Sequence, residues 1–280
     1  MKNIAIIGCG IMGSGMAKNF LANDFKVYIW NRTKENTLSL LEKGAVWCDT
    51  PAQAVQNADI IFEVTANDES SREVWTGQNG ILQTIDPAKI YIASATLSAT
   101  WIDELIAQCT ENNLRFCDVA LTGGRVATET GQLTLLAGGD KDTIEELKNT
   151  FQAVSKKLFY FGKAGSGMRY KLILNMLQAI HIGGLGEALA IAKSQGMDMN
   201  AVGEALCDRP GGATTALAWE GYKTQAEKLN FAVNLITKDL NYAKALAQDL
   251  ENPLLDDTLA KYKKAIADDK GKLDWTSIII

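Results

Sequence analysis

Asn3-Ile-Ala-Ile-Ile7 runs without a break into Gly8-Cys9-Gly10-Ile11-Met12-Gly13, and then into Ser14-Gly-Met-Ala-Lys-Asn-Phe-Leu-Ala-Asn23. The first five residues are short, apolar and rich in β-branched side chains, the pattern of a strand buried on both faces of a parallel sheet. The last ten read as a helix. Between them lies G-x-G-x-x-G, whose glycines permit a tight turn, let a pyrophosphate approach the backbone, and let helix pack against strand. The free N–H groups of the helix start then hold the phosphate. Strand before and helix after give the motif its meaning, and they predict dinucleotide binding through Gly8, Gly10, Ile11, Met12 and Gly13. Met1-Lys2 followed by an apolar run superficially resembles a signal peptide. The run is broken by glycines and continues into an ordered pattern, so it reads as a strand rather than a targeting segment.

A second strand, Lys26-Val-Tyr-Ile-Trp30, ends in Asn31-Arg32-Thr33. A site selective for NAD places an acid here for the ribose 2′-hydroxyl. Arg32, flanked by Asn31 and Thr33, instead offers a guanidinium fork and hydrogen-bond donors suited to a 2′-phosphate. NADP (NADPH) is therefore the expected cofactor.

Beyond this point helix and strand alternate. Helices are predicted over 34–43, with Gly44 at the end, from Thr50-Pro51 onward, and over 101–112 and 141–154. Strands are predicted over 45–48, 60–64, 90–93, 116–120, 133–137 and 157–160. The alternation predicts an α/β fold, a doubly wound parallel sheet. Ligands of such sheets gather at strand C-terminal ends, so the loops at 8–13, 31–33, 65–68, 94–96 and 122–124 should converge. Thr65, Ala66 and Thr96 are accordingly expected at the cofactor. The last loop, Thr122-Gly123-Gly124, exposes successive backbone N–H groups and a hydroxyl. That is an arrangement for a carboxylate, or equally an ordinary glycine turn.

Strand signals stop after Tyr160, and the remainder reads as helical. Gly165-Ser-Gly-Met-Arg-Tyr-Lys171 opens a long apolar helix to about residue 195, with apolar residues all round its axis, predicting a buried core helix. Arg169, Lys171, Asn175, His181 and Glu187 would all lie in lipid if it crossed a membrane, which argues against a span. Lys171 and Asn175 are four apart and share a face. Burial would move the Lys171 ammonium toward the range useful for proton transfer, unless it snorkels to solvent from the helix start. His181 is expected to be a core residue. Further helices are predicted over 200–206, 231–248 and 258–267, with a Gly/Pro loop at 209–212. The domains are thus expected at 1–162, binding NADP, and 163–280, helical.

Against 28 Lys and Arg stand 33 Asp and Glu, a net charge of −5 that disfavours a nucleic-acid surface. Five scattered cysteines with no C-x-x-C pair suggest free thiols in a reducing, cytoplasmic setting. A single histidine disfavours a His-based metal site.

Four separated motifs together resemble the β-hydroxyacid dehydrogenases, the group that contains 3-hydroxyisobutyrate dehydrogenase, tartronate semialdehyde reductase and the glyoxylate/succinic semialdehyde reductases. They are Gly8 through Ala17, Asp118 through Gly124, the Gly165 stretch with Lys171 and Asn175, and Phe231 leading to Lys238-Asp239-Leu240. The resemblance implies a Rossmann-type domain followed by an all-α domain that forms homodimers or homotetramers. It implies NADP(H)-dependent interconversion of a small carbonyl substrate and its hydroxyacid. Lys171 would be the general acid or base. Thr122, Gly123 and Gly124 would hold the substrate carboxylate with Asn175 orienting it, and Phe231 and Lys238 would close the site beside the nicotinamide.

The chain departs from the family pattern at Ala93-Ser94-Ala95-Thr96, where Asp-x-Ser-Thr is common, and at Ala120-Leu121-Thr122, where Pro-x-Ser is usual. Thr65-Ala66 replaces Leu-Pro, Ala127-Thr128 replaces a Gly-Ala pair, and Arg125 adds a cation. Imine reductases share the architecture and the Asn-Arg-Thr signature but typically lack the lysine at Lys171. 6-Phosphogluconate dehydrogenases have a much longer helical domain. An imine reductase and a non-catalytic NADP-binding sensor are the two alternatives.

Overall fold

The computed structural model describes residues 2–208, 212–224 and 229–279, so most of the Gly/Pro loop expected at 209–212 lies outside the described residues. The chain divides into two compact units, Met1–Lys171 and Leu172–Ile280.

In the first unit eight strands form one sheet: β1 (Ile4–Ile7), β2 (Val27–Trp30), β3 (Val46–Trp47), β4 (Ile60–Glu63), β5 (Ile90–Ala93), β6 (Arg115–Thr122), β7 (Leu133–Gly139) and β8 (Ser155–Tyr160). All eight were legible as strands. Their order is β3-β2-β1-β4-β5-β6-β7-β8, so the chain reverses direction across the sheet between β1 and β4. The helices between them are α1 (Ile11–Ala22), α2 (Leu38–Leu41), α3 (Pro51–Asn57), α4 (Asp68–Thr76), α5 (Ala99–Glu111), α6 (Gly124–Glu129), α7 (Lys141–Glu146) and α8 (Lys148–Gln152).

Alternation along each strand sends side chains to two different cores. Ile4, Ile6, Ile29, Phe62 and Ile92 join Phe20 of α1 and Phe151 of α8, with the Phe20 and Phe62 rings 5.4 Å apart. On the other face Tyr91 and Phe116 meet Trp75 of α4, at 6.4 and 5.9 Å. Strands covered on both faces read as unbroken apolar runs, which is why they were visible.

The expected doubly wound parallel sheet is present, with one antiparallel pairing. β7 runs antiparallel to β6, and β8 is parallel to β7. Residues 123–132 connect β6 to β7, too few for the dozen or more that a parallel crossover requires. The helix predicted over 34–43 is a 3-10 turn at Lys34–Thr37 followed by the one-turn α2, and the one over 141–154 divides into α7 and α8. Helices α4 and α6, which were not expected, begin at the last residues of the loops expected at 65–68 and 122–124. For α4 a capping box decides: Asn67 Oδ1 accepts from Ser70 N, while Asn67 N donates to Ser70 Oγ.

Helix α9 (Ser166–Ser194) begins in the first unit and continues into the second, which adds α10 (Met199–Asp208), α11 (Ala213–Lys223), α12 (Val233–Ala247) and α13 (Pro253–Ala267). Leu172, Ala179, Ile182, Leu185 and Leu189 of α9 pack with Trp219, Ile236, Leu240 and Tyr262 in one core. Helix α9 is long and apolar enough to cross a membrane by length and composition. The expectation that it is buried all round is wrong. Tyr170, Ile173, Leu177 and Ile191 are 36–65% exposed, and His181, expected in the core, is exposed too. These residues recur at helical spacing along one side, so α9 has a core face and an apolar outer face.

Candidate active site

The glycine turn is built by close approach. Gly8 sits at φ +103°, where a Cβ would fall 2.7 Å from the Val64 carbonyl oxygen, and a Cβ on Gly13 would fall 1.9 Å from that of Gly8. Gly10 differs: a Cβ there would meet nothing within 4 Å. It is the N-cap of α1 and makes no side-chain cap. Open space over an uncapped twelve-residue helix start fits a pyrophosphate, so these residues suit a dinucleotide. Cys9 is no nucleophile, because burial pushes its thiol up to about 12.

Asn31 braces this turn. Its Oδ1 accepts from Cys9 N at 3.0 Å and its Nδ2 donates to Thr33 O at 2.8 Å. Arg32, Thr33 and Lys34 are exposed at the end of β2, and Lys34 lies 4.9 Å over the Trp47 ring. Thr65 points inward: its N–H donates to Glu63 Oε1 at 2.9 Å and its hydroxyl engages the same carboxylate. Thr65 and Ala66 follow β4, Thr96 follows β5, and Thr122 ends β6, at the same edge as the glycine turn because β1, β2, β4, β5 and β6 are parallel. The five loops expected to converge do lie along one edge of this sheet.

Gly123 and Gly124 have φ of +126° and +69°, so the turn after Thr122 requires glycine at both places. Helix α6 ties it to the cofactor turn. Thr128 is wholly buried, its Oγ1 donates to Met12 O at 3.2 Å, and Asn19 Nδ2 donates to both Thr128 O and Gly15 O. A Cβ on Gly15 would fall 2.6 Å from Thr128 Oγ1. Thr128 therefore packs directly against the glycine at position 15 of α1.

Asp118 is the buried carboxylate of β6. Its Oδ1 accepts from Gly165 N and its Oδ2 from Met168 N, each at 2.6 Å. Burial raises its carboxyl to about 6 against those hydrogen bonds. Lys171, partly buried, follows Met168 by three residues on α9 and is the last residue of the first unit.

In the second unit Asn175 is 2% exposed, and its Nδ2 donates to Asp239 Oδ2 at 2.6 Å. Lys238 Nζ lies 2.9 Å from Asp239 Oδ1 and 5.2 Å over the Tyr242 ring. Asp239 thus joins Asn175 to Lys238. Phe231, just before α12, packs edge-on to Trp275 at 5.4 Å, and its carbonyl accepts from Trp275 N. Sequence reasoning gave no part to Asp118, Thr128 or Asp239. Asp118 and Asp239 did lie inside quoted motifs, and for Asp118 an acid in an otherwise apolar run was the available signal.

Residues 3–162 match the NAD-binding domain of 6-phosphogluconate dehydrogenase, and residues 165–280 match the NAD-binding domain of NADP-dependent 3-hydroxyisobutyrate dehydrogenase. Among curated proteins, the chain is 30% identical to the cytokine-like nuclear factor N-PAC of Danio rerio, over 99% of this chain and 61% of that protein. The chain therefore spans less than two thirds of that relative's length. It is 29% identical to glyoxylate/succinic semialdehyde reductase 1 of Arabidopsis thaliana, over 99% of this chain and 96% of that one. Among solved structures, 3-hydroxyisobutyrate dehydrogenase of Salmonella typhimurium superposes with a TM-score of 0.89 at 23% identity, covering 100% of this chain and 99% of that one, a likeness of fold. With both parts of the family's architecture matched in order along its length, the chain belongs to the NAD(P)-dependent β-hydroxyacid dehydrogenase family.

Proposed function

We propose that this protein is an NADP(H)-dependent reductase of a small carboxylate-bearing aldehyde or ketone, or in reverse a 3-hydroxyacid dehydrogenase, with Lys171 as general acid or base. The observation that carries this reading is the pair Lys171 and Asn175, one turn apart on α9, with Asn175 buried and held by Asp239. A buried carboxamide fixed by a carboxylate is a preorganised polar group, of the kind that orients a substrate.

When bound, the reduced nicotinamide supplies hydride to the carbonyl carbon. Negative charge then builds on the carbonyl oxygen, where the Lys171 ammonium stabilises it and gives up a proton. The Thr122-Gly123-Gly124 turn supplies the carboxylate site, and Asn175 sets the orientation. Phe231 and Lys238 would close the site beside the nicotinamide. Gly8, Gly10, Ile11, Met12 and Gly13 would take the pyrophosphate, with Asn31, Thr65, Ala66 and Thr96 around it. Arg32 and Thr33, exposed at the end of β2, support NADP over NAD. The scattered cysteines, all free and four of them buried, support a reducing, cytoplasmic setting. The apolar outer face of α9 supports a homo-oligomer built through the helical part.

Replacement Lys171→Ala tests the reading. We expect turnover to fall by about 10²–10⁴-fold, the usual worth of a general acid, with NADPH affinity retained. Unchanged turnover would sink the assignment of Lys171. A second reading, a non-catalytic NADP-binding protein, is favoured by the 30% identity to N-PAC, whose name describes a nuclear factor. It predicts NADPH binding with no carbonyl turned over, in the native protein as in the variant.

A further inference from the structure

Asp118 takes no part in the chemistry proposed above, yet much of the first unit is arranged to accommodate it. Its side chain is fully buried on β6. A buried charge is costly unless it is completely hydrogen-bonded. Here each oxygen accepts a backbone N–H at 2.6 Å, one from Gly165 and one from Met168. These donors belong to the opening turn of α9, where N–H groups have no partner inside the helix. The negative charge also faces the positive end of the helix dipole.

Room for this contact depends on missing side chains. Asp118 pairs across the sheet with Gly138 of β7, where a Cβ would fall 2.6 Å from Asp118 Oδ1. A Cβ on Gly167 would fall 2.3 Å from the Leu136 carbonyl oxygen. Gly165 sits at φ +88°, a conformation that favours glycine. Met168 is tied a second time, its sulfur accepting from Leu97 N at 3.3 Å.

The clamp fixes the rotation and height of the opening turn of α9 against the sheet. Lys171 lies three residues beyond Met168, roughly 4.5 Å farther along the axis at 1.5 Å per residue. Strand β6 itself continues from Asp118 to Thr122, where the glycine turn begins. One strand therefore carries the clamp on the helix that bears Lys171 and, at its end, the turn assigned to the carboxylate.

We infer that Asp118 is a positioning residue: through the Gly165 and Met168 amides it sets the opening turn of α9, and with it Lys171, against the Thr122–Gly124 turn on its own strand. The inference rests on the reading of Lys171 as proton donor. An exposed serine or aspartate would cap the helix more cheaply; a carboxylate locked inside the sheet caps it and registers it as well.

The test uses Asp118→Asn, which keeps the shape and one acceptor, and Asp118→Ser, which keeps one acceptor in less volume. Turnover is measured per folded molecule, alongside NADPH affinity. The surroundings of Lys171 are followed by NMR on protein whose lysines carry ¹³C-methyl groups, the Lys171 signal being the one lost in Lys171→Arg. In whichever variant folds, we expect kcat to fall at least about tenfold, the factor that about 1.4 kcal/mol of lost positioning would give, while NADPH affinity stays within about twofold. The Lys171 signal should move and the other lysines should not. A normal kcat per folded molecule would leave Asp118 as a stabilising cap and overturn the inference. So would a loss of kcat with the Lys171 signal in place. If the native protein turns over no carbonyl, the reading of Lys171 as proton donor fails, and the NMR signal alone still decides whether Asp118 places that side chain.

Discussion

Arg32 and Thr128 can each be tested as single residues, one for cofactor choice and one for stability. Arg32 lies exposed where β2 ends, held in place by a loop that Asn31 ties to the glycine turn. A charged hydrogen bond to a 2′-phosphate contributes about 1.5–3 kcal/mol. Arg32→Ala should therefore weaken NADP binding by roughly 10- to 100-fold and leave NAD binding nearly untouched, as titration with each nucleotide would reveal. Equal losses for both would remove Arg32 from the account. Thr128 is a packing residue with a polar handle. Thr128→Ala gives up its bond to Met12 and its contact with Gly15, at about 1–3 kcal/mol for a lost buried hydrogen bond and methyl group. A lower midpoint in denaturant with an unchanged slope is the expected result. The glycines of the cofactor turn were legible because their spacing sits directly between a strand and a helix. The contacts of Asp118 with Gly165 and Met168, and of Asp239 with Asn175, were not, since those partners lie 47–64 positions away in the chain.

Among elements, α9 was placed almost to the residue, and its surroundings were not. Periodicity distinguishes one apolar stripe from none, but apolar residues all round a helix are equally consistent with a core helix and with one whose outer side meets another chain. Ile173 and Leu177, 50% and 48% exposed, lie on that outer side. Replacing both with glutamate should shift the protein from oligomer to monomer in sedimentation or light scattering, with the fold intact by circular dichroism. An unchanged mass would place any interface elsewhere. Elsewhere in the first unit, Glu146 of α7 joins Arg115 of β6 and Lys2. Hydrogen bonds from Arg115 and then Lys2 hold its carboxyl down at about 2. A depressed carboxyl stabilises the fold above its unfolded value, 4.5 here, and loses that contribution as pH falls toward 2. Glu146→Gln should flatten this part of the acid stability profile slightly, because the pair is exposed and screened. An identical profile in the variant would show that the pair contributes nothing.

At the scale of the whole chain, eight strands and the change to an all-helical second half were readable, because buried parallel strands and long helices leave strong patterns. The reversal of β7 was not. Nothing in Leu133–Gly139 itself marks direction; the short connection at 123–132 does, once α6 is known to fill it. Departures from the family pattern follow the same logic. Thr128 packs against Gly15, while Thr65 turns its hydroxyl to Glu63, so both of these departing residues make contacts inside the first unit.

Carbonyl reduction by NADPH with Lys171 as proton donor can be checked by following NADPH oxidation against glyoxylate, succinic semialdehyde, methylmalonate semialdehyde, tartronate semialdehyde and a cyclic imine. NADH and Lys171→Ala serve as controls. We expect turnover of at least one carboxylate-bearing carbonyl, faster with NADPH than with NADH, and its loss in Lys171→Ala. Silence toward every carbonyl while NADPH remains bound, or turnover of the imine alone, would contradict it.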